Sequence, residues 1–218
     1  MNKISATIED YLSIIYVLDR DREPIVGARI AELLGVTPPT VTNTLKRMMR
    51  DGLITMNKKG VRLTKPGLDS ARTITRRHML TEWMMVKRLP WSKLHQEAHH
   101  LEHAISSDAE NALWEELGHP HTCPHGNPLP GYENETTTWI PLTRVSAKEK
   151  VVIRRIHELA EQNVALMEFL EKQGITPGTV VTVNEVLSFN ETISVQIKKR
   201  DTSLGFAAAR YIYVEHEE

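Results

Sequence analysis

A glycine and a pair of prolines divide the N-terminal part of the chain more sharply than any other feature. Apolar residues recur at helical spacing before Gly35 and again after Pro39. Glycine ends a helix readily, and proline is tolerated in the first turn of the next one. We therefore predict two short helices joined by a tight turn, with Ile30, Val41 and Leu45 in their shared core.

The surrounding sequence predicts that this pair of helices belongs to a winged helix-turn-helix. An amphipathic helix over residues 8–18 precedes it, and two short strands over residues 53–64 follow it around Asn57 and Gly60. Short hydroxyl and amide side chains suit base edges, and lysine and arginine suit phosphates. The predicted DNA-contacting residues are Arg29, Thr37, Pro39, Thr40, Thr42, Asn43, Lys46 and Arg47, with Lys58 and Lys59 in the wing.

Positive charge is concentrated in the same segment. Between Thr37 and Arg77 there are ten lysines and arginines but only two acidic residues, which gives a local charge of +8 in a chain whose net charge is −1. A basic block in an otherwise near-neutral chain indicates a polyanionic partner, and double-stranded DNA fits both this charge and the predicted fold.

The composition excludes several other classes of protein. Cys123 is the single cysteine, so no disulfide framework is expected. The N-terminal residues lack the apolar core of a signal peptide, and no apolar run approaches the roughly 18 residues of a membrane span. We therefore expect a cytoplasmic protein with no membrane partner.

The rest of the chain mixes helices with later strands. Helical periodicity covers residues 73–87, 92–105 and 108–117, and alternating apolar residues predict strands over 179–187, 191–198 and 210–214. Residues 151–170 carry both kinds of signal. The expected fold class is mainly α with β, beginning with the winged helix-turn-helix.

Eight of the ten histidines lie between His78 and His125. His78 and Glu82 are four residues apart, which places them on one helix face. If residues 92–105 form a single helix, the same holds for the four residues His95, His99, Glu102 and His103. Cys123 and His125 follow on a loop rich in proline and glycine. Imidazole, carboxylate and thiolate groups together predict binding of a divalent transition metal.

Three other functions also use such residues. A metal-dependent hydrolase with an accessory winged helix needs an open coordination position, but the chain lacks the His-Glu-x-x-His pattern and shows no obvious nucleophile. A metal-storage protein would leave the basic segment unexplained. A redox sensor acting through Cys123 would have no second cysteine to resolve it. We therefore expect no enzymatic activity and no small organic substrate.

Several motifs together make the chain resemble the diphtheria-toxin-repressor-like family of metal-dependent transcriptional regulators along its whole length. They are Ile8-Glu-Asp-Tyr-Leu-Ser-Ile-Ile-Tyr16, Met49-Arg-Asp-Gly-Leu53, Leu63-Thr-Lys-Pro-Gly67, His95-Gln-Glu-Ala-His-His-Leu-Glu-His103 and His125-Gly-Asn-Pro128. The resemblance implies a winged helix-turn-helix over residues 1–72 and a helical dimerisation and metal-binding domain over 73–141. It also implies a FeoA-like small β-barrel over 142–218, a homodimer, and repression of metal homeostasis genes at a palindromic operator.

The resemblance further implies two metal positions per subunit, with His78 available to either. The first would use Asp10, His99, Glu102 and His103, and the second would use His78, Glu82, His95, Cys123, His125 and Glu161. The iron-sensing branch of the family has a softer methionine at the position of Asp10, and oxygen ligands suit Mn(II). The expected metal is therefore Mn(II), then Fe(II), with Zn(II), Co(II) or Cd(II) able to substitute in vitro.

Overall fold

The computed structural model describes residues 4–57 and 60–216, and these form two compact units. The first unit comprises the chain up to Arg77 together with Glu102–Ile105. The second comprises His78–Leu101 and the chain from Ser106 onward. Helix α4 contributes residues to both units, because it runs from Lys65 to Met85.

The first unit begins as a winged helix-turn-helix, as predicted. Its elements are α1 (Ala6–Arg20), α2 (Gly27–Leu34), α3 (Pro38–Arg50), β1 (Ile54–Asn57), β2 (Gly60–Leu63) and the first part of α4. Gly35 ends α2 in the left-handed conformation, with φ of 62°. The Thr37 hydroxyl then caps α3 by accepting a hydrogen bond from the Thr40 amide.

The two strands of the wing pair antiparallel, with Ile54 opposite Leu63 and Asn57 opposite Gly60. Ile54 of β1 and Val61 of β2 are buried and anchor the wing in the core, whereas the rest of β1 is exposed. The predicted DNA contacts Lys58 and Lys59 lie outside the described residues.

Helix α4 begins earlier than the predicted start at residue 73. Thr64 precedes it and accepts a hydrogen bond from the Gly67 amide, and Pro66 lies in the first turn, where it is tolerated. A side chain at Gly67 would collide with the backbone, because its Cβ would lie 1.9 Å from the Leu53 carbonyl oxygen. The capping threonine, not the apolar periodicity, therefore marks the true start.

The second unit contains the remaining helices and a β-sheet. After the rest of α4 come α5 (Leu94–Leu101), α6 (Ser107–Glu116), β3 (Ile140–Pro141), β4 (Lys150–Ile156), α7 (Glu158–Glu161), α8 (Val164–Gln173), β5 (Val180–Leu187), β6 (Thr192–Ile197), β7 (Arg200–Gly205), α9 (Phe206–Ala209) and β8 (Ile212–His216). Short 3-10 turns occur at Trp91–Lys93, Glu102–Ala104, Glu133–Thr136 and Leu142–Arg144, of which the second belongs to the first unit.

One predicted helix was wrong in extent. The pattern over residues 92–105 indicated one continuous helix, but α5 ends at Leu101 and a 3-10 turn covers Glu102–Ala104. The break also separates the units, because His95 and His99 lie in the second unit and Glu102 and His103 in the first. Periodicity alone does not reveal such a break, since both kinds of helix are compatible with the same few residues.

The sheet is antiparallel, with strand order β3-β8-β4-β5-β6-β7, in agreement with the predicted FeoA-like β domain. Its core includes Ile153, Val183, Ile193 and Val214. Strand β7 was not predicted, because only Thr202 and Leu204 of its residues are buried and it lies at the sheet edge.

Candidate metal centres and DNA-binding surface

The outer face of α3 carries the predicted DNA contacts. Val41, Leu45 and Met48 are buried and hold the helix against the unit. The side chains on the other face are exposed, namely Thr37, Pro39, Thr40, Thr42, Asn43, Lys46 and Arg47. The sequence therefore separates core from surface on this helix with a period of 3.6 residues.

Several of these polar side chains are already oriented by neighbours. The Thr37 and Thr40 hydroxyls are 2.9 Å apart, and the Thr42 hydroxyl donates to the Pro38 carbonyl. The partly buried Arg29 lies on α2, where its guanidinium pairs with Glu32 at 2.7 Å. Arg29 is thus held on α2, and the hydroxyls of the threonines near the start of α3 have fixed positions on the surface.

The first cluster, which we define as Asp10, Glu102 and His103, lies in the first unit. Asp10 comes from α1, and the other two residues come from the 3-10 turn. His103 Nε2 is 3.2 Å from Asp10 Oδ1 and 3.5 Å from Glu102 Oε1. One imidazole nitrogen and two carboxylates thus converge on one place.

Glu9, which the sequence analysis did not single out, contacts His103 of the first cluster. His103 Nδ1 is 2.6 Å from Glu9 Oε2, so it donates a hydrogen bond to that carboxylate. This bond turns Nε2 toward Asp10, and carboxylates commonly orient metal-binding histidines in this way. Its position next to Asp10 was the only signal in the sequence.

His99 is exposed on α5 and belongs to the second unit. It therefore lies on a different element from Glu102 and His103, with which it was predicted to share a helix face.

The second cluster, which we define as His78, Glu82, His95, Cys123, His125 and Glu161, lies entirely within the second unit. Glu82 is at its centre and is completely buried. Its Oε1 is 3.2 Å from His78 Nε2, and its Oε2 is 3.2 Å from His125 Nδ1. His95 Nδ1 is 2.9 Å from His78 Nε2. All six residues predicted for the second metal position are thus near Glu82.

Two tryptophans hold the loop that carries Cys123 and His125. The indole of Trp83 donates to the Thr122 carbonyl at 2.7 Å, and that of Trp91 donates to the Pro124 carbonyl at 3.0 Å. His125 Nε2 also bonds to the Trp91 carbonyl oxygen at 3.1 Å, which turns Nδ1 toward Glu82.

Gly126 allows this loop to lie directly on β4. A Cβ at this position would be 1.9 Å from the Arg154 carbonyl oxygen, and the Gly126 φ is 88°. The Ile156 amide donates to the His125 carbonyl at 2.8 Å. The glycine of the His125-Gly-Asn motif is therefore required both by its conformation and by the close approach of two backbones.

Asn127 and Arg155 hold Glu161 in the second cluster. The Asn127 amide group donates to Glu161 Oε1 and to the Ile156 carbonyl, and its own oxygen accepts a bond from Arg155 Nε. Arg155 also pairs with Glu158 at 2.8 Å. These supporting residues are buried, and sequence reasoning missed the roles of Asn127 and Arg155 because nothing in their spacing links them.

The second cluster strongly perturbs the pKa values of its members. Burial disfavours charge on His125, but the carboxylates of Glu161 and Glu82 outweigh burial and raise its pKa to about 9. The pKa of Glu82 is lowered well below its usual value, because the His125 charge and histidine hydrogen bonds overcome desolvation. His95 has a raised pKa despite its burial, because it bonds to Glu161 and Glu82.

The surroundings of Cys123 favour the neutral form of its thiol, whereas those of Glu82, His95 and His125 favour the charged forms. Burial, with the nearby charges of Glu82 and Glu161, raises its pKa well above the usual value. Such a thiol becomes a thiolate when a cation replaces the proton, so its environment suits a metal ligand and not a free nucleophile.

Both clusters have the donor sets of transition-metal sites. Buried carboxylates and imidazoles that face one another stabilise a divalent cation, which would replace protons held by the second cluster. His78 faces the second cluster in this unit.

Models of three protein families match consecutive parts of the chain. The family described as iron dependent repressor, N-terminal DNA binding domain, matches residues 3–61. The family described as iron dependent repressor, metal binding and dimerisation domain, matches residues 64–131, and the FeoA domain matches residues 140–216.

Characterised relatives match over most of their length. The iron-dependent repressor IdeR of Mycobacterium tuberculosis is 34% identical over 209 residues, which cover 89% of this chain and 91% of the relative. The diphtheria toxin repressor of Corynebacterium diphtheriae is 30% identical over 227 residues, covering 99% of each chain.

Solved structures show the same fold. A manganese-dependent transcriptional repressor in complex with manganese superimposes with a TM-score of 0.84 at 27% identity, covering 96% of this chain and all of that one. ScaR with bound Zn²⁺ has a TM-score of 0.80 at 29% identity, covering 96% of this chain and 99% of that one. These neighbours and the FeoA match support the fold class predicted from the sequence.

In the part of the chain that the structure describes, no helix combines the length and the apolar character that a membrane crossing requires.

Proposed function

This chain belongs to the iron-dependent, diphtheria-toxin-repressor-like family, and we propose from its own residues how it acts. It is a metal-dependent transcriptional repressor that binds DNA and dimerises. The family consists of DNA-binding regulators, so the hydrolase and storage alternatives lose their support. The proposal covers the identity of the metal, its ligands, the DNA-reading residues and the switch.

We propose that Mn(II) activates the repressor in preference to Fe(II), through two metal centres per subunit. The first centre uses Asp10, Glu102 and His103, with His99 as a further ligand, and the second uses the six residues of the second cluster. The support is the carboxylate of Asp10, which lies 3.2 Å from His103 and adds a second oxygen donor to that of Glu102. Oxygen-rich sites suit Mn(II), whereas Zn(II), Co(II) and Cd(II) bind more readily to sites with nitrogen or sulfur.

The proposed switch lies in the first cluster. Asp10 belongs to α1 of the winged helix-turn-helix, and Glu102 and His103 belong to the turn that follows α5. Without a cation, the carboxylates of Glu9, Asp10 and Glu102 repel one another around a single imidazole. A bound ion supplies the charge that joins α1 to this turn and so favours the conformation that binds DNA, which raises the apparent DNA affinity.

Most of the proposed DNA contacts lie on or next to the exposed face of α3, and the basic residues Arg29, Lys58 and Lys59 are proposed from the sequence. Thr40, Thr42 and Asn43 read base edges, and Arg29, Thr37, Pro39, Lys46, Arg47, Lys58 and Lys59 contact or approach the backbone. In the homodimer the two recognition helices would bind the two halves of a palindromic operator. The domain boundaries 1–72, 73–141 and 142–218 are part of this proposal.

The test is fluorescence anisotropy with promoter DNA, performed with chelator, Mn(II), anaerobic Fe(II), Zn(II) and Ca(II). We expect tight binding with transition metals, saturation with Mn(II), and no response to Ca(II). Asp10→Ala should reduce the metal-dependent gain in affinity by roughly 5- to 150-fold, the usual range for such coupling. Glu115→Ala, which removes an exposed carboxylate from α6, is the control. An unchanged metal response in Asp10→Ala would contradict the proposed switch.

A second experiment separates base readers from phosphate contacts. Asn43→Ala should reduce discrimination between operator and random DNA, whereas Lys46→Gln should weaken both and lower the salt slope by about 1. Equal losses on both DNAs from Asn43→Ala would remove it as a base reader.

A further inference from the structure

The six ligands of the second cluster form two groups that share one residue. Ligand atoms of His78, Glu82, His95 and Glu161 all lie within 4.8 Å of one another. Glu82, Cys123 and His125 form another such group. Metal–ligand bonds of about 2.0–2.3 Å require the ligand atoms of one ion to lie within roughly twice that distance of each other. The six residues are therefore not arranged around a single point.

The two oxygens of Glu82 face different groups. Oε1 is 3.2 Å from His78 Nε2 and 3.7 Å from His95 Nδ1, whereas Oε2 is 3.2 Å from His125 Nδ1. A carboxylate with one oxygen toward each set of ligands has the arrangement of a bridge between two ions. In known two-metal sites the ions are about 3.5–4 Å apart.

Glu161 contacts histidines of both groups but belongs only to the group of His78 and His95. Its Oε2 is 2.8 Å from His95 Nδ1, and its Oε1 is 3.6 Å from His125 Nδ1. The bond from Asn127 to Oε1 holds this orientation. Glu161 thus adds a second buried carboxylate to the group of His78 and His95, and Glu82 remains the one carboxylate that the two groups share.

The histidine nitrogens are also directed toward two separate positions. His78 Nε2 and His95 Nδ1 are 2.9 Å apart and point toward the same place. On the other side, the bond from His125 Nε2 to the Trp91 carbonyl leaves Nδ1 for a ligand.

We propose that the second cluster binds two divalent ions bridged by Glu82. One position is formed by His78, His95, Glu161 and Oε1 of Glu82. The other is formed by Cys123, His125 and Oε2 of Glu82. The inference rests on the proposed metal-binding role of this cluster and differs from it in the number of ions bound.

The two positions differ in chemical preference. The first has only nitrogen and oxygen donors and accepts Mn(II) or Fe(II), whereas the thiolate of the second favours softer ions such as Co(II), Zn(II) or Cd(II). A mixed pair of ions in one buried centre is therefore a natural outcome when both kinds of metal are present.

The experiment counts Co(II) bound per subunit of the full-length homodimer, using metal analysis after gel filtration and the near-ultraviolet sulfur-to-cobalt absorption. We expect one ion for the first cluster and two for the second. His95→Ala should lose one ion and keep the sulfur absorption, whereas Cys123→Ala should lose the absorption. His119→Ala, which removes an exposed histidine outside both clusters, is the control. A single ion in the second cluster, with loss of both that ion and the sulfur absorption in His95→Ala, would overturn the proposal.

A second readout does not depend on any substitution. In protein loaded with Mn(II) alone, electron paramagnetic resonance of two bridged ions should show exchange coupling, which isolated ions lack. Metal-dependent DNA binding is measured on the same samples. If DNA binding responds to metal, but the second cluster binds only one ion and no exchange coupling is seen, the two-ion centre is wrong and the proposed function stands. If the second cluster binds no metal at all, that part of the proposed function fails as well.

Discussion

Both clusters combine carboxylates with imidazoles, but only the second adds a thiol and fully buried ligands. In the first cluster, the side chains of Asp10 and His103 are 25% and 22% exposed. In the second, His78 and His95 are 13% and 20% exposed, whereas Glu82 and His125 are fully buried. The first cluster is joined by residues from two separate helical segments, and the second is enclosed by a loop, two tryptophans and β4. An accessible site exchanges ions with its surroundings, and an enclosed site contributes to folding. We infer that sensing belongs to the first cluster and that the second supports the fold.

The largest expected effect is on stability, from Glu82→Ala in protein treated with chelator. The substitution leaves the buried charge of His125 with one carboxylate fewer, and breaking a buried ion pair costs about 3–5 kcal/mol. The four tryptophans, Trp83, Trp91, Trp114 and Trp139, all lie in the second unit, so their fluorescence reports its unfolding. Glu115→Ala should change stability by less than about 0.5 kcal/mol. Similar stability in both variants would contradict the structural role of the second cluster.

The second largest expected effect distinguishes metal sensing by the first cluster from stabilisation of the fold by the second. His103→Ala removes the nitrogen of the first cluster and should lower the gain in DNA affinity from Mn(II) by roughly 1–3 kcal/mol, with little change in the melting temperature of the second unit. His125→Ala should lower the melting temperature of the second unit and leave the gain in DNA affinity from Mn(II) nearly unchanged. Anisotropy and tryptophan fluorescence measure the two effects, and equal changes from both variants would show that the clusters do not divide these roles.

A pH titration tests whether the second cluster is protonated when no metal is bound. The folded-state pKa of His125 is raised to about 9 from 6.5, so its contribution to stability is fully present below pH 6.5 and is lost as the pH rises through 9. We expect protein treated with chelator to lose roughly 1–3 kcal/mol between these values. With Mn(II) in excess, the trend should reverse, because metal binding releases the proton. A flat melting temperature in both conditions would argue against a protonated second cluster.

The smallest effect concerns the thiol. Cys123→Ser should weaken Cd(II) and Zn(II) binding at the second cluster far more than Mn(II) binding, because only the softer ions gain from sulfur. Competition with a metal-sensitive dye measures each affinity. A large loss for Mn(II) would mean that the thiolate binds this ion as well.

Much of the fold followed from local patterns, and the limits of prediction are physical. The turn at Gly35 and the cap at Thr37 act over a few residues, so the sequence predicts α2 and α3 almost to the residue. The end of α5 at Leu101 depends on tertiary packing that no periodicity encodes. The same holds for β7, an edge strand with few buried side chains.

In the candidate sites, the ligands of the second cluster were predicted from the sequence, but the residues that hold them in place were not. Histidine spacing and family resemblance predicted the residues that meet around Glu82. The supports of those residues were not predicted, because Asn127 and Arg155 are linked to Glu161 only through the folded chain. Glu9 was missed because an acidic residue on a helix surface is ordinary until the fold brings a histidine to it.

The burial of Glu82 and His125 also has a consequence for timing. An ion can reach the buried half formed by Glu82, Cys123 and His125 only when the surrounding segments open, so loading and release there are limited by local unfolding and not by diffusion. This half of the second cluster would then respond to the average metal supply over a longer period than the first cluster. A brief shortage would empty the exposed site while the enclosed half retained its ion, and the protein would remain ready to repress again once metal returned.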